Sequence, residues 1–280
     1  MFKIVDKKFL NTSVVMMDIE APAVARKAEP GQFIILRANE EGERIPLTIA
    51  GFDREKGLVK IIFQVVGSTT EKLKHKEIGD FIQDFVGPLG QATNVQNVER
   101  VCVVGGGVGC AIAYPVAKKM FDMGIKVTSI IGFRKKDLII LEDEFKAASN
   151  KFYLTTDDGS AGINGNVCIP LEELIQSGEK FDKIFAIGPL VMMKYVALVA
   201  KKYNIPCVVS MNPIMIDGTG MCGCCRLMVD GQMKFACIDG PDFDGTKVDF
   251  DEMIKRNRIY EEFERHAYEK TCNLFKKEVE

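Results

Sequence analysis

The sequence predicts an all-β unit, an α/β unit and a small cysteine-bearing lobe, in that order. Three observations predict it. The first hundred residues are short β-branched runs separated by turns. At Arg100 the pattern changes to apolar strands alternating with helices, opened by a run of glycines. Near the C-terminus Cys222, Cys224 and Cys225 fall within four residues, and Cys237 follows. The expected layout is an antiparallel β-barrel over residues 1–97, a doubly wound α/β domain over 98–210 and the cysteine lobe with a C-terminal helix over 211–280.

In the first unit, residues 13–19, 33–37 and 58–66 read as strands, with turns at Pro30-Gly31 and from Asp53 to Gly57. A small closed antiparallel barrel is the natural architecture. Two segments carry more than scaffold: Arg44-Ile45-Pro46-Leu47-Thr48, and Gly67-Ser68-Thr69-Thr70, which leaves a strand and enters a helix. Amide N–H groups and hydroxyls at a helix start suit a diphosphate, and they equally make an N-cap with no ligand.

In the second unit, Val101 to Val104 is a continuous apolar strand of the kind buried in parallel sheets. Gly105-Gly106-Gly107-Val108-Gly109 follows, then a helix over 111–123 that Pro115 interrupts early. Strands at 126–132, 152–155, 183–187 and 206–210 alternate with helices at 141–149 and 191–202, which places a ligand across the C-terminal strand ends. The glycine loop allows close backbone approach to a pyrophosphate, and equally makes a tight structural turn. It is no GxGxxG, since Cys110 stands at the third position. The second strand ends in Gly132-Phe133-Arg134-Lys135-Lys136-Asp137, without the acidic residue that binds the ribose in NAD-specific Rossmann domains. Arg134 and Lys135 either pair with a 2′-phosphate or are solvated charges.

The cysteine loop runs from Met215 to Arg226. Asp217, Cys222, Cys225 and Cys237 read D-x4-C-x2-C-x11-C, against C-x4-C-x2-C…C for plant-type [2Fe–2S] sites. A cluster needs four anionic ligands converging on a small inorganic core. Gly218, Gly220 and Gly223 permit positive φ and free amides for the cluster sulfurs. A zinc site on the same residues and structurally inert thiols are the other readings. If Asp217 does not ligate, Cys224 or water takes its place. Asp230-Gly231 reads as a hairpin turn. Residues 238–245 read as a polar, turn-rich stretch. From Phe250 onward the composition is helical, with a stripe of Ile254, Ile259, Tyr260, Phe263, His266, Ala267, Leu274 and Phe275. Such a helix packs on its own chain or docks a partner. His75 and His266 join no constellation.

Composition narrows the function. The 280 residues are 47% hydrophobic and 27% charged, with a net charge of −2, which gives nucleic-acid binding no electrostatic support. No apolar run reaches membrane-spanning length, and the N-terminus lacks a signal-peptide pattern. Nine cysteines in that setting point to a reducing cytoplasm. Cys102, Cys110, Cys168, Cys207 and Cys272 are isolated and expected as small buried hydrophobes.

Arg44-x-Pro46-Leu47-Thr48, Gly67-Ser68-Thr69-Thr70, Gly87-Pro88-Leu89-Gly90, the Gly105–Gly109 loop and the cysteine loop together resemble the ferredoxin-reductase superfamily of FAD-binding barrels. Within it the chain is similar to dihydroorotate dehydrogenase electron-transfer subunits. It is more similar still to the small subunits of NADH-dependent reduced ferredoxin:NADP oxidoreductases. The resemblance implies FAD held by Arg44, Pro46, Leu47, Thr48, Val65, Gly67, Ser68, Thr69 and Thr70, with Thr48 near flavin N5. It implies NAD(H) at Gly105, Gly106, Gly107, Val108, Gly109, Arg134, Asp157, Gly188, Pro189 and Met192, and a [2Fe–2S] cluster on Asp217, Cys222, Cys225 and Cys237. It further implies a heterodimer with a larger flavin/[4Fe–4S] subunit, in which two NADPH reversibly reduce NAD and ferredoxin by electron bifurcation. Two departures stand out. The superfamily's R-x-Y-S motif, aligned on Thr48, puts Arg44 one place early, and Ile112 replaces the proline of GGGxGxAP. Dihydroorotate dehydrogenase subunits carry four cysteines where this chain has Asp217. The readings of another class are a nucleotide-binding redox sensor and a zinc-stabilised interaction protein.

Overall fold

The computed structural model describes residues 1–277, which form two seven-stranded sheets and a two-stranded hairpin. The first sheet uses β1 (Phe2–Phe9), β2 (Val14–Glu20), β3 (Phe33–Arg37), β4 (Arg44–Asp53), β5 (Leu58–Gln64), β6 (Phe81–Ile82) and β7 (Asp84–Leu89), with α1 (Pro22–Lys27) and α2 (Ser68–Lys74) between strands. All its pairings are antiparallel, in the order β6-β1-β2-β5-β4-β3-β7. Gln83 alone separates the two edge strands in sequence, so the ends of the sheet return to one another and it curls into a barrel. Side-chain alternation fills the interior with Val15, Met17, Ile19, Ile34, Leu36, Ile49, Ile61 and Phe63.

The second sheet is built from β8 (Arg100–Gly106), β9 (Lys126–Phe133), β10 (Lys151–Thr156), β11 (Ile163–Asn164), β12 (Lys183–Ile187) and β13 (Cys207–Ser210). Between them lie α3 (Cys110–Asp122), α4 (Glu142–Ala147), α5 (Cys168–Gln176) and α6 (Leu190–Lys202). Strand order is β11-β10-β9-β8-β12-β13, all parallel, so direction of travel reverses at β8 and opens a crevice at the carboxyl ends there. The chain ends with the hairpin β14 (Arg226–Val229) and β15 (Gln232–Phe235), then β16 (Asp242–Asp244), α7 (Phe250–Asn257) and α8 (Glu261–Lys277). Asp230 and Gly231 turn the hairpin at φ of 54° and 72°, as two-residue primed turns require.

Several elements differ from expectation. Pro115 lies inside an unbroken α3: Ala113, Val116, Ala117 and Met120 are fully buried, and that packing outweighs the lost amide bond. The polar stretch 238–245 contains a strand. Asp242–Asp244 pairs antiparallel with Val208–Ser210 and extends the α/β sheet by one edge. The C-terminal helical stretch breaks between Asn257 and Glu261 into two helices. The side chains of Leu274 and Phe275 lie outside the described residues. β11 and α5 have no counterpart in the sequence reading. Cys102, Cys110 and Cys207 are buried as expected, whereas Cys168 and Cys272 are only half-buried. Among the described residues no helix is long and apolar enough to cross a membrane.

One apolar core joins all three regions. Phe33 and Ile35 of β3 share it with Val104, Ile184 and Met193 of the α/β unit and with Cys225, Leu227, Cys237 and Met253 of the C-terminal region. The junction is also pinned by polar contacts. Gln91 donates its amide to the Gly240 carbonyl at 2.7 Å and its side chain to that of Ile238 at 2.9 Å. Thr93 donates to the Asp242 carboxylate at 2.6 Å.

Burial pushes the Asp242 carboxyl up to about 6, against the opposing hydrogen bonds from Thr93 and Ser210. The folded chain therefore holds this proton more tightly than the unfolded chain, where aspartate titrates near about 4. The resulting stabilisation is complete below about pH 4 and is lost as pH rises through about 6. Thermal unfolding measured from pH 4 to 8 should show a decline with rising pH that Asp242→Asn lacks. The difference should amount to at most about 3 kcal/mol, and parallel pH profiles for the two proteins would refute it.

Candidate functional site

The residues singled out in the barrel divide between two faces of β4. Directly opposed residues on antiparallel strands share a face, and the register pairs Phe33 with Thr48, Ile35 with Pro46 and Arg37 with Arg44. Arg44, Pro46 and Thr48 therefore lie on the outer face with Phe33 and Ile35. Leu47 lies opposite Ile34 and packs into the barrel interior with Ile45 and Val65.

The Gly67–Thr70 segment opens α2, and its hydroxyls are already used within the protein. Thr70 Oγ1 accepts from the amides of Gly67 at 2.9 Å and Val66 at 3.1 Å. Thr69 Oγ1 donates to Glu43 at 3.2 Å, and Ser68 Oγ lies 2.8 Å from Thr271 Oγ1 on α8. What the segment offers a ligand is its first-turn amides, which have no acceptor within a helix. His75 closes α2 and bonds Glu71 at 3.1 Å, so it belongs to a local polar network.

A cavity of about 1090 Å³ opens between barrel and α/β sheet at the strand-order reversal. Gly106, Gly107, Val108, Gly109, Arg134, Asp157, Gly188, Pro189 and Met192 line it, and Gly105 sits behind them in β8. The barrel contributes Asn11, Ser13, Gln64 and Val66, none of which has a sequence signal. Gly109 permits a close approach: a Cβ there would stand 2.6 Å from Gly188 Cα and from the Ile187 carbonyl. Two features suit a polar, anionic ligand. Thr155 Oγ1 lies buried in the lining with no partner among the described residues. Arg134 forms no ion pair among the described residues, whereas Lys202 is neutralised by Glu172 at 2.8 Å.

The cysteine loop packs on the outer face of the barrel. A Cβ on Gly218, which has a φ of 77°, would lie 2.7 Å from Leu89 and 3.0 Å from Ile35. Cys225 and Cys237 are buried with sulfurs 3.2 Å apart, while Cys222 is exposed. Burial, then the neighbouring Cys225, pushes the Cys237 thiol up to about 12, although the Gly220 amide donates to it. Burial disfavours the Cys237 thiolate and a bound cation would favour it, which fits a metal centre. The Asp217 carboxylate is held within the loop. One oxygen accepts from the Thr219 amide and hydroxyl, the other from the Cys222 amide at 2.8 Å. These bonds hold its carboxyl well below the usual carboxylate range. The oxygen bonded to Cys222 accepts only that one hydrogen bond and keeps a second lone pair for a metal. Among the described residues no three His, Cys, Asp or Glu side chains already stand in metal-binding geometry. Cys224, outside the spacing pattern, contributes its carbonyl to Arg256 at 3.3 Å.

Gly109→Ala should destabilise the chain by about 1–3 kcal/mol through backbone overpacking. Gly107→Ala should cost about 1–2 kcal/mol from its positive φ alone, since a Cβ there meets nothing within 4 Å. Thermal denaturation of the two variants separates the effects, and a Gly109→Ala protein of wild-type stability would show that the loop need not approach Gly188.

The chain resembles known proteins over most of its length. The family model for the iron–sulfur cluster binding domain of dihydroorotate dehydrogenase B matches residues 212–249. A homologue of the dihydroorotate dehydrogenase B (NAD(+)) electron transfer subunit from Thermotoga maritima is 47% identical over 268 residues, spanning 96% of this chain and 94% of its own. The dihydroorotate dehydrogenase B electron transfer subunit of Geobacillus thermodenitrificans is 33% identical over 254 residues, spanning 88% and 96%. A chain of the NADH-dependent reduced ferredoxin-NADP oxidoreductase, solved for insight into flavin-based electron bifurcation, superposes with a TM-score of 0.91 at 46% identity, over 96% of this chain and 97% of its own. At these identities and coverages, the chain belongs to the family of dihydroorotate dehydrogenase B electron transfer subunits and their homologues, oxidoreductase subunits on a ferredoxin-reductase-like fold.

Proposed function

We propose that this chain is the electron-transfer subunit of an NADH-dependent reduced ferredoxin:NADP oxidoreductase. It exchanges hydride with NAD(H) at FAD and passes single electrons through a [2Fe–2S] cluster to or from a larger flavin/[4Fe–4S] subunit, in a heterodimer that bifurcates electrons. The observation that carries the reading is the shared outer face of the barrel. Thr48 and Pro46 lie directly across from Phe33 and Ile35, and Gly218 of the cysteine loop packs on Ile35. Segments suited to a flavin and a cluster thus lie one strand apart, about 5 Å in the sheet.

When bound, FAD accepts hydride and the cluster takes single electrons, so the protein is left with positioning and electrostatics. Thr48 and Pro46 present the barrel face to the flavin ring, and the first-turn amides of α2 meet its diphosphate. The Gly105–Gly109 loop, with Gly188, Pro189 and Met192 packed beside it, receives the dinucleotide at the start of α3. Arg134 and Asp157 border the far end of the same cavity. Cys222, Cys225 and Cys237 supply thiolates, and Asp217 is the fourth ligand.

A dihydroorotate dehydrogenase B electron transfer subunit is the second reading, favoured by the match over residues 212–249. What sets this chain apart from that reading is Asp217, at a position where the resemblance implies a cysteine; identity does not separate the two, at 47% to the Thermotoga maritima homologue of such subunits and 46% to the oxidoreductase chain.

Anaerobic purification with iron, sulfide, zinc and flavin analysis tests the proposal. About two iron, two sulfide and one FAD per chain are expected, as one [2Fe–2S] cluster requires, together with bleaching of the flavin by NADH. Cys225→Ser should lose the iron and keep the FAD. Zinc without flavin would instead leave a nucleotide-binding interaction protein.

A further inference from the structure

The helix α7 begins on the cysteine hairpin and ends beside the cysteine loop. Its N-cap, Asp249, donates its amide to the Met228 carbonyl of β14 at 2.9 Å, and its carboxylate accepts from the Glu252 amide at 2.9 Å. Phe250 and Met253 are buried in the core that holds Cys225 and Cys237. Residues three apart share a helix face, so the face that packs Met253 also carries Arg256. Arg256 Nη2 donates to the Cys224 carbonyl at 3.3 Å, whereas its neighbour Lys255 is exposed. A second arginine reaches the adjoining carbonyl from within the hairpin: Arg226 Nη1 donates to Gly223 at 3.1 Å. Two guanidinium groups thus hold successive carbonyls of the turn between Cys222 and Cys225.

Neither cation is neutralised. Among the described residues Arg226 and Arg256 form no ion pair, whereas Lys194 is paired with Asp251 of α7 at 2.7 Å. Glu252, one turn before Arg256, makes no ion pair with it: Glu252 Oε2 and Arg256 Nε are both buried without a partner among the described residues. A buried N–H left unpaired costs stability, and an uncharged side chain of similar length would avoid that cost. What the arginine brings is its charge. It stands over a turn whose ligand candidates, Asp217, Cys222, Cys225 and Cys237, are all anionic when they hold a metal.

We propose that Arg256, supported by Arg226, raises the reduction potential of the [2Fe–2S] site, as a positioning residue acting through the turn between Cys222 and Cys225. The inference rests on the reading of Asp217, Cys222, Cys225 and Cys237 as ligands of that cluster. One electron added there without a proton raises the negative charge by one. A fixed cation nearby favours the more negative, reduced state. The guanidinium stays protonated at every working pH, and half-burial keeps salt from screening it fully. Arg256 touches neither flavin nor nicotinamide in this reading. Its effect is confined to how readily the cluster accepts an electron and how readily it gives one up.

The test uses the full chain, purified anaerobically and poised with dithionite and redox mediators, with the reduced cluster read by EPR. Arg256→Gln removes the charge and keeps a side-chain N–H donor. At the potential where wild type is half reduced, its reduced-to-oxidised ratio should fall about tenfold, the effect of a unit charge within about 10 Å at an effective dielectric of about 20. That is a midpoint about 59 mV more negative for a one-electron couple. Arg256→Lys keeps the charge and should stay within about twofold of wild type. Equal midpoints in wild type and Arg256→Gln, or equal shifts in Arg256→Gln and Arg256→Lys, would overturn the proposal and leave a structural clamp. If Arg256→Gln fails to hold iron, the exposed Arg226→Gln decides: a more negative midpoint supports the proposal and an unchanged one overturns it. A wild-type chain with no [2Fe–2S] signal would remove the cluster reading itself, whereas an intact signal with unshifted midpoints removes only the role of the arginines.

Discussion

The architecture depends on β3 being buried on both faces. Ile34 and Leu36 point into the barrel, while Phe33 and Ile35 point into the core shared with the α/β sheet and the cysteine hairpin. An ordinary barrel strand has one wet face. Here each outward apolar side chain that would cost exposure contributes roughly 2 kcal/mol by burial against another unit. The consequence is geometric. Whatever lies on the outer face of β4 next door, Thr48 and Pro46 included, is fixed relative to the cysteine loop without a linker between them. Electron exchange between sites needs a constant separation, and a shared core holds it better than a flexible tether.

The C-terminal region is correspondingly not an appendage. It donates β16 to the edge of the α/β sheet, Cys225 and Cys237 to the shared core, and α8 to the far side of the barrel. The chain thus crosses back over both earlier units. Gly218 shows the tolerance of this packing, since a single methyl group there would press on Leu89 and Ile35. In sequence that glycine reads as conformational freedom for a metal loop. In the fold it also serves as clearance between loop and barrel.

Much of this was legible in the residues. Apolar runs at 33–37 and 183–187 coincide with β3 and β12, because β-branched residues in short runs have few other uses. Asp230-Gly231 turned as its chemistry requires. The glycine loop lines the cavity because only glycine fits beside Gly188. Other features are written in tertiary contacts that no local pattern encodes. Asp242-Phe243-Asp244 is a strand only because β13 has an open edge to pair with. Pro115 sits within α3 because flanking burial outweighs one missing bond. Ser68 looks like a ligand hydroxyl until Thr271, some two hundred positions later, takes it. Asp217 matches a ligand spacing, and the same spacing lets it cap the loop through Thr219 and Cys222.

The central claim is that electrons pass between flavin and cluster across the outer face of β3, where Ile35 meets Gly218. The most direct test is to reduce the chain fully with dithionite, mix it with NAD+ and follow loss of the cluster EPR signal by rapid freezing, in wild type and in Gly218→Ala. With iron and FAD contents matched, the account predicts rapid loss in wild type and slower loss in the variant, whose loop must move away from Ile35 and Leu89. Equal rates in the two proteins would contradict it and place the path elsewhere.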